Sequence, residues 1–413
     1  MRMPIYSGDQ AVASFLEMCA QQGWESFFLI ADHNTYRVLG EEVHQALQGT
    51  GRDVELVLLN PEGLHADSVA VSRVLAKYDA NPRIFVGVGS GTITDITRFT
   101  SHRSRNDFIS FPTAGSVDAY TSKNAAMTIG EMKGSIYCHA PIAIFTDIPI
   151  IMNAPDKMTA SGVADLLGKF TSGADWRMSK LLWDADFNQE IYDRLFENAQ
   201  RIARNVDGIS NRLTDSMSEL MACQYESGFC MADFGNSAPA SGGEHHIGHA
   251  WEMLFHWKGR EGLQHGDAVG VAMLFEAHWY EQLRSLSLQR ATEMLQHLSI
   301  PSSDEQEKIL REGMPMIAED IINSHPIYMQ LSGDPAKRLS IRERIIDQWD
   351  EVQSIAATVP PVEQLRDWLI TVGAPTSTAE LGLSDEQAQL GYEFGHYLRE
   401  RFSINLMRKL FGW

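Results

Sequence analysis

The stretch IFVGVGSGTITD, which runs from Ile84 to Asp95, combines an apolar run with a glycine-rich turn. The apolar part predicts a buried strand, and the residues after the turn can open a helix. The glycines at the turn are Gly87, Gly89 and Gly91. Glycine lets backbone N–H groups approach a pyrophosphate, and the start of a helix adds partial positive charge. The spacing is GxGxG rather than GxGxxG, so a plain strand-to-helix turn also fits this stretch.

Similar apolar runs surround this stretch in the first half of the chain, at residues 27–31, 54–59, 108–111 and 142–145. Helical patterns separate them, and continuous apolar strands between helices predict a parallel sheet covered on both faces. From about residue 155 the strand pattern disappears and helical periodicity continues to the end. We therefore predict two domains. Residues 1–154 form an α/β, Rossmann-like, dinucleotide-binding domain, and residues 155–413 form an all-α domain that binds metal and substrate.

Composition limits the class of protein. The chain has 413 residues and a formal net charge of −20. Nucleic acid is not expected as a partner, because duplex binding needs clustered Lys and Arg. No run of 18 uncharged apolar residues occurs, so no membrane span is predicted. The four cysteines show no CxxC pairing and no apolar signal core precedes them, which favours reduced thiols and a cytoplasmic location.

Two further segments follow predicted strands and should reach the same edge of the sheet. Asp32 ends the first apolar run, where an acid binds a ribose hydroxyl or caps the next helix. The loop FPTAGSVDAYTSKN, from Phe111 to Asn124, carries several hydroxyls with Asp118 and Lys123. Hydroxyls and Lys123 suit a phosphate, and Asp118 suits substrate hydroxyls. An ordinary polar surface loop fits the same residues.

Histidines cluster in the second half of the chain, in SGGEHHIGHAWE at residues 241–252 and in HGD at residues 265–267. His245 and His249 are four residues apart and therefore share one face of a helix. His265 opens another predicted helix. Imidazoles together with Asp165, from the earlier segment ADLLGK, are the ligand types that a divalent metal such as zinc prefers. Packed or surface histidines remain an alternative on residue types alone.

Four strings closely resemble the bacterial sn-glycerol-1-phosphate dehydrogenases in order and spacing: GVGSGTITDITRF, FPTAGSVDAYTSK, ADLLGKFTSGADW and SGGEHHIGHAWEM followed by HGDAVGVA. That family is part of the superfamily of iron-containing alcohol dehydrogenases, glycerol dehydrogenases and dehydroquinate synthases. The resemblance extends from about Asp32 to about Phe275 and implies a dehydroquinate synthase-like fold. Gly115, Ala119 and Asn124 stand where the family usually has Pro, Gly and Gly. These departures bear on substrate identity.

The resemblance implies roles for individual residues. One divalent ion (nickel, zinc or possibly iron) would be bound by Asp165, His245 and His265. His245 is preferred to His249 because the related HxxxH motif of the superfamily ligates through its first histidine. The implied contacts to NAD(H) or NADP(H) are Asp32, Gly89, Ser90, Gly91, Thr92, Asp95, Thr113 and Ser116. The implied substrate contacts are Asp118, Lys123 and Lys169, with Asp118 and His249 as catalytic candidates for proton transfer.

The implied reaction is the reversible, metal-dependent reduction of dihydroxyacetone phosphate to sn-glycerol 1-phosphate by NAD(P)H. The implied partners are a small phosphorylated three-carbon substrate and a second copy of the chain in a homodimer. One alternative is a glycerol-type polyol dehydrogenase, whose substrate lacks the phosphate. A dehydroquinate synthase-like cyclase ranks lower, because that branch generally ligates metal with Glu where this chain has Asp165.

Overall fold

A computed structural model describes residues 2–260 and 262–413. Its strands are β1 (Ile5–Gly8), β2 (Ser26–Asp32), β3 (Asp53–Leu59), β4 (Ile84–Gly89), β5 (Phe108–Pro112), β6 (Asn124–Ile129), β7 (Met132–Tyr137) and β8 (Ala143–Asp147). Six of these form one sheet in the order β1-β8-β5-β4-β2-β3, and all neighbouring strands are parallel. Strands β6 and β7 form a separate antiparallel hairpin.

The α-helices are α1 (Ala11–Gln22), α2 (His33–Thr35), α3 (Glu41–Gly49), α4 (Ser68–Leu75), α5 (Gly91–Arg103), α6 (Ile148–Met152), α7 (Asp156–Leu167), α8 (Lys169–Trp183), α9 (Gln189–Ser210), α10 (Thr214–Phe234), α11 (Gly243–Trp257), α12 (His265–Ser285), α13 (Leu288–Gln296), α14 (Ser303–Gly313), α15 (Ala318–Ser324), α16 (Ile327–Gly333), α17 (Pro335–Asp347), α18 (Trp349–Ala356), α19 (Val362–Val372), α20 (Asp385–Phe394) and α21 (Ile404–Phe411). A π-helical turn, Tyr36–Gly40, joins α2 to α3. Two 3-10 turns lie at Ala238–Ala240 and Gly395–Tyr397. The predicted fold class, a parallel sheet followed by a helical part, is confirmed.

The strand order creates a crevice at the sheet edge. The chain leaves β2 for β3 on one side and then returns to β4 on the other side of β2. Ligands of open α/β sheets bind outside the carboxyl ends of the strands where the order reverses in this way. Strand β2 ends at Asp32 and β4 ends at Gly89. The topology therefore brings two of the predicted cofactor residues to the same crevice.

The sheet is buried on both faces because alternate strand residues enter two different cores. Phe27, Leu29 and Val86 pack in a core with residues of α1 and α3. Phe28 and Phe85 pack in the other core, with residues of α4 and α5. Burial on both sides explains why these strands are continuous apolar runs in the sequence.

Three elements differ from the sequence prediction. Strand β1 was not predicted, because it is a four-residue edge strand with no fully buried residue. The β6–β7 hairpin was not predicted either, since β7 is only partly buried and has no apolar run. The helical periodicity predicted from residue 155 onward is also interrupted between α12 and α13, where the Ser287 side chain caps α13 by accepting a hydrogen bond from the Arg290 N–H.

By packing, the chain divides into two compact units. One consists of Met1–Leu166 and Arg204–Ser237, and contains the sheet. The other consists of Leu167–Ala203 and Ala238–Trp413, and its described elements are all helical. The first unit thus includes helical segments beyond residue 154, and a domain boundary at that residue stays a sequence prediction. Among the described residues, none of the helices has the length and hydropathy that crossing a membrane requires. The four cysteines are all buried.

Candidate functional site

Three imidazoles come together where α11 packs against α12. The ring centroids of His245 and His265 are 5.2 Å apart, and those of His249 and His265 are 5.3 Å apart and stacked. His245 is buried, whereas His249 and His265 are partly exposed. His265 is the first residue of α12, so the start of this helix fixes its position. The structure thus brings together histidines that are separated in the sequence.

Two carboxylates orient two of these rings. Glu244 Oε1 lies 2.7 Å from His245 Nδ1, and Glu252 Oε1 lies 2.8 Å from His265 Nδ1. A carboxylate that is hydrogen-bonded to Nδ1 favours the imidazole tautomer with its proton on Nδ1. Nε2 is then the atom that can bind a metal. Burial raises the pKa of Glu244. The hydrogen bond and charge of His245, together with the other hydrogen bonds of Glu244, outweigh burial, so the pKa of Glu244 is lowered overall. Glu244 is therefore a carboxylate that accepts the ring proton.

Asp165 and two of these histidines form a group of ligand type, that is, a set of side chains that could bind one metal ion. One ligand atom each of Asp165, His245 and His265 lies within 4.8 Å of the others. Asp165 is fully buried near the end of α7, and its Oδ2 accepts a hydrogen bond from the Asp118 N–H at 3.1 Å. Two nitrogens and one carboxylate oxygen fit a divalent ion such as zinc, nickel or iron. The residues present therefore fit the metal that the sequence pattern implies.

A second group of ligand type shares one member with the first. Ligand atoms of His249, Glu252 and His265 also lie within 4.8 Å of one another. Glu252 already bonds Nδ1 of His265, which favours an orienting role for this carboxylate rather than a ligand role. The preference for His245 over His249 as a ligand stays a prediction.

A third group, which the sequence analysis missed, consists only of buried carboxyl groups. Asp175, Glu244 and Glu276 have oxygens within 4.8 Å of one another. Burial and then the charge of Glu244 raise the pKa of Asp175 to about 7, and burial with both neighbouring charges raises the pKa of Glu276 well above its usual range. Asp175 Oδ2 accepts the Gly243 N–H at 2.8 Å, so the group holds the first turn of α11. A Cβ on Gly243 would lie 1.9 Å from Glu276 Oε1, which explains the glycine.

The turn from β4 to α5 has the form of an anion site. Ser90, Gly91 and Thr92 are partly exposed, and the Ser90 side chain does not cap α5. The first N–H groups of this helix are thus left for a ligand such as a pyrophosphate. A Cβ on Gly89 would lie 2.6 Å from the Ile93 Cβ, because α5 packs directly against β4. The glycine spacing therefore serves close packing as well as phosphate approach.

Two acidic residues predicted to contact the cofactor are held by the protein itself. Asp32 Oδ1 accepts the N–H groups of Asn34 at 2.7 Å and Thr35 at 2.9 Å, which forms a capping box at the start of α2. Asp95 Oδ1 lies 2.6 Å from Nη1 of Arg98, whose side chain is fully buried. The structure shows these contacts, and the ribose contact of Asp32 and the cofactor contact of Asp95 stay predictions.

The loop that follows β5 is tied to its surroundings at several points. The Thr113 N–H donates to the Gly89 carbonyl at 3.3 Å, which holds the loop next to the β4–α5 turn. Asp118 Oδ2 accepts a hydrogen bond from the Ser227 hydroxyl at 2.6 Å. Ser116 is buried, and the Tyr120 hydroxyl donates to the Ala114 carbonyl at 2.6 Å. The loop is thus a built part of the structure rather than a loose surface segment.

The departures in this loop have local consequences. A Cβ on Gly162 would lie 1.9 Å from the Gly115 carbonyl oxygen, so α7 and the loop approach through two glycines. The carbonyl of Ala119 accepts a hydrogen bond from Arg98 Nη2 at 2.8 Å, and that of Asn124 accepts one from Nη1 at 2.9 Å. Arg98 therefore holds two of the three departing positions through their backbone.

The two predicted substrate lysines have different surroundings. Lys123 is partly buried just before β6, and its carbonyl accepts the Cys138 N–H at 2.7 Å. Lys169 is 1% exposed at the start of α8, and its Nζ donates to the Ala240 carbonyl at 2.9 Å. Substrate contacts by either lysine stay predictions.

Proteins with established names are similar to this chain in sequence or in fold. The family model for iron-containing alcohol dehydrogenase matches residues 6–155. A glycerol-1-phosphate dehydrogenase of Halalkalibacterium halodurans, whose name specifies NAD(P)+, is 31% identical over 401 residues and aligns with 96% of this chain and 90% of its own. The enzyme of the same name from Bacillus subtilis is 29% identical, with 96% and 88% covered.

Among solved structures, an alcohol dehydrogenase from Oenococcus oeni matches with a TM-score of 0.63. The match covers 100% of this chain and 98% of that one at 14% identity, which shows a common fold. The sequence identity to the Halalkalibacterium enzyme extends over nearly the whole of both chains. The chain belongs to the glycerol-1-phosphate dehydrogenase family.

Proposed function

We propose that the protein is an NAD(P)- and metal-dependent oxidoreductase that reduces dihydroxyacetone phosphate to sn-glycerol 1-phosphate and catalyses the reverse reaction. The group of Asp165, His245 and His265, with ligand atoms within 4.8 Å of one another, carries the proposal. The names of the curated relatives support the substrate. Both kinds of support agree on redox chemistry at an oxygen-bearing carbon.

Asp165, His245 and His265 would hold a divalent ion, which would supply Lewis acidity toward the substrate carbonyl. The donor set suits nickel, zinc and iron, and we propose nickel or zinc. Glu244 and Glu252 hold the rings of His245 and His265 through Nδ1, so Nε2 is the atom of each ring that would bind the ion. The Asp118 N–H holds the carboxylate of Asp165. These three contacts prepare the ligands before any ion is bound.

The cofactor, NAD(H) or NADP(H), is proposed to bind at the carboxyl ends of β2 and β4. The N–H groups at Gly91 and Thr92 would hold its pyrophosphate, since no side-chain cap occupies them. Thr113 and Ser116 would lie toward the phosphates or the nicotinamide. The nicotinamide supplies the hydride. Asp32, at the end of β2, would favour NADH, because a carboxylate near the ribose repels a 2′-phosphate.

A proton must reach the reduced carbonyl oxygen, and His249 is the proposed donor. Its ring is partly exposed and stacks on His265 at 5.3 Å, so it can exchange protons with solvent. The side chain of Asp118 is proposed to contact a substrate hydroxyl beside this site. A homodimeric assembly and a cytoplasmic location are further proposals, based on the sequence and the resemblance.

The test is a substrate panel on protein loaded with nickel, zinc or iron. Reduction of dihydroxyacetone phosphate and dihydroxyacetone is followed by NADH and NADPH absorbance, and oxidation of glycerol and both glycerol phosphate enantiomers is assayed in reverse. We expect dihydroxyacetone phosphate and sn-glycerol 1-phosphate to be strongly preferred. A preference for dihydroxyacetone and glycerol would instead establish the polyol dehydrogenase alternative. Turnover of neither pair would refute both.

A further inference from the structure

Three buried carboxyl groups meet at the first turn of α11, next to His245. Asp175 lies on α8, Glu244 on α11 and Glu276 on α12. Each of these residues is at most 2% exposed, and one oxygen of each lies within 4.8 Å of the others. Carboxylates that are so close together and shielded from water do not all ionise, because each negative charge disfavours the next. A proton or a bound cation must therefore offset part of this charge.

Two of the three carboxyl groups accept hydrogen bonds from surrounding donors. Asp175 accepts them at 2.6–2.8 Å from one hydroxyl and two backbone N–H groups, which belong to Tyr280, Ile404 and Gly243. Glu244 accepts them at 2.7–3.2 Å from a ring nitrogen, a backbone N–H and a hydroxyl, which belong to His245, Gly242 and Thr171. The start of α11 also favours negative charge through the helix dipole. Asp175 and Glu244 are therefore both placed as acceptors.

Glu276 has different surroundings. Within the described part of the chain, neither of its oxygens has a donor in good hydrogen-bond geometry, and the groups that it approaches are the side chain and backbone of Glu244. Burial, and then the charges of Asp175 and Glu244, raise the pKa of Glu276 well above its usual range. A neutral carboxyl group carries an O–H, which donates to a neighbouring carboxylate. Among the three groups, Glu276 is the one that fits this role.

The two glycines before Glu244 leave room for this arrangement. A Cβ on Gly242 would lie 2.8 Å from Glu244 Oε2 and 2.9 Å from Asp175 Oδ2. A Cβ on Gly243 would lie 1.9 Å from Glu276 Oε1. Side chains at these two positions would push the carboxyl groups away from the start of the helix. The Gly-Gly-Glu-His order of residues 242–245 thus joins the carboxyl group to the histidine that it orients.

We propose that Glu276 is a neutral carboxylic acid that donates a hydrogen bond to Glu244, and that it thereby acts as a positioning residue for His245. Glu244 Oε1 lies 2.7 Å from Nδ1 of this ring. A donor that fixes the carboxylate of Glu244 also fixes the ring that this carboxylate orients, and such outer partners tune the affinity of a metal site. The inference rests on the proposed function, because it concerns the support of a proposed metal ligand.

The proposal is tested with Glu276→Gln, which keeps an N–H donor of similar size, and with Glu276→Leu, which has no donor. Chelator competition measures the metal Kd of each variant. We expect Glu276→Gln to bind metal nearly as tightly as the wild type, and Glu276→Leu to bind it about tenfold more weakly or worse, as for other outer-shell partners. Glu281→Gln is the matched control, because Glu281 lies on the same helix but is partly exposed, where it contacts Arg284 and the Val362 N–H.

Infrared spectroscopy of the full-length protein gives a readout that depends on neither activity nor metal affinity. The C=O stretch of a protonated carboxyl group lies at a higher frequency than the stretches of a carboxylate. We expect the difference spectrum between the wild type and Glu276→Gln to contain this acid band, and the spectrum for Glu281→Gln to lack it. A role for Glu276 in packing alone would not produce the band. This measurement remains decisive even if Glu276→Leu does not fold.

Three outcomes would overturn the inference without touching the proposed function. The acid band could be absent, which would show that Glu276 is ionised. The metal Kd could be unchanged in Glu276→Leu, or weakened equally in both variants, which would show that no donor at this position supports the site. The wild type could bind a second ion that Glu276→Gln loses, which would show that the three carboxyl groups hold a cation. Failure of the wild type to bind any divalent ion would instead refute the proposed function, and the acid band would still decide whether Glu276 is protonated.

Discussion

Two regions were expected to bind ligands: the histidine group on α11 and α12, and the acidic residues at the sheet edge. Carboxylates have different roles in the two regions. In the helical unit, Glu244 and Glu252 bond Nδ1 of two histidines and leave Nε2 of each ring for a metal. At the sheet edge, Asp32 caps α2 and Asp95 pairs with buried Arg98. There the backbone N–H groups at the start of α5 are the groups left for a ligand.

The contrast shows that residue type alone does not identify a ligand-binding side chain. A carboxylate that accepts strong hydrogen bonds from its own fold has fewer lone pairs for a ligand, whereas an imidazole bonded at Nδ1 gains a defined second nitrogen. Binding at the sheet edge should therefore depend mainly on backbone geometry. Binding in the helical unit should depend on individual side chains, and mutations there should have the larger effects on activity.

The largest effect is expected for His245→Ala. We expect loss of the bound metal and a decrease in kcat of on the order of 10²–10³-fold or more, because a preorganised electrostatic contact to the reacting oxygen is removed. His249→Ala is the comparison for metal content alone, since its ring belongs to the same stack but is partly exposed. Metal content by emission spectroscopy decides the question. If His245→Ala retained the metal and His249→Ala lost it, His249 would be the ligand.

Asp95→Ala should chiefly destabilise the protein. It leaves the fully buried Arg98 without its ion-pair partner, and breaking such a pair costs about 3 kcal/mol even though three backbone carbonyls remain on the guanidinium. Urea unfolding measures this change. Asp95→Asn keeps an acceptor and should lose less. Normal stability with weakened NADH binding would instead show that Asp95 contacts the cofactor.

Glu252→Ala should weaken metal binding by about 10- to 100-fold, as loss of an outer-shell partner typically does. The reason is the 2.8 Å contact to Nδ1, which orients the ring of His265. Chelator competition measures the metal Kd directly. Glu252→Gln retains an acceptor oxygen, so its metal Kd should lie between those of the wild type and Glu252→Ala. An unchanged Kd in Glu252→Ala would mean that the start of α12 alone positions His265.

Much of the fold could be predicted from sequence, because strands buried on both faces produce apolar runs that do not depend on distant partners. The glycine-rich β4–α5 turn could be identified as well, because it directly follows one of these apolar runs. Strand β1 and the β6–β7 hairpin were not visible, since they are short or half exposed. The ligand residue types were predicted, but their assembly depends on the packing of helices that are far apart in the chain.

The functional roles of the carboxylates were predictable only in part. The Asp32 and Thr35 capping box and the spacing of Asp95 and Arg98 are local signals that the sequence contains. The contact between Glu252 and His265 joins two helices, and no local pattern indicates it. The group of Asp175, Glu244 and Glu276 joins three helices and likewise depends on tertiary structure alone.

The smallest effects are expected at Asp32, where two variants separate its two possible roles. Asp32→Asn keeps a good helix cap but removes the charge, so stability should hardly change while the kcat/KM ratio of NADPH to NADH rises several-fold. Asp32→Ala removes the cap as well and should cost about 1 kcal/mol of stability. Thermal unfolding and cofactor kinetics measure the two effects independently. If the ratio stays constant in both variants, Asp32 acts only as a cap, and the sheet edge selects its cofactor through backbone contacts.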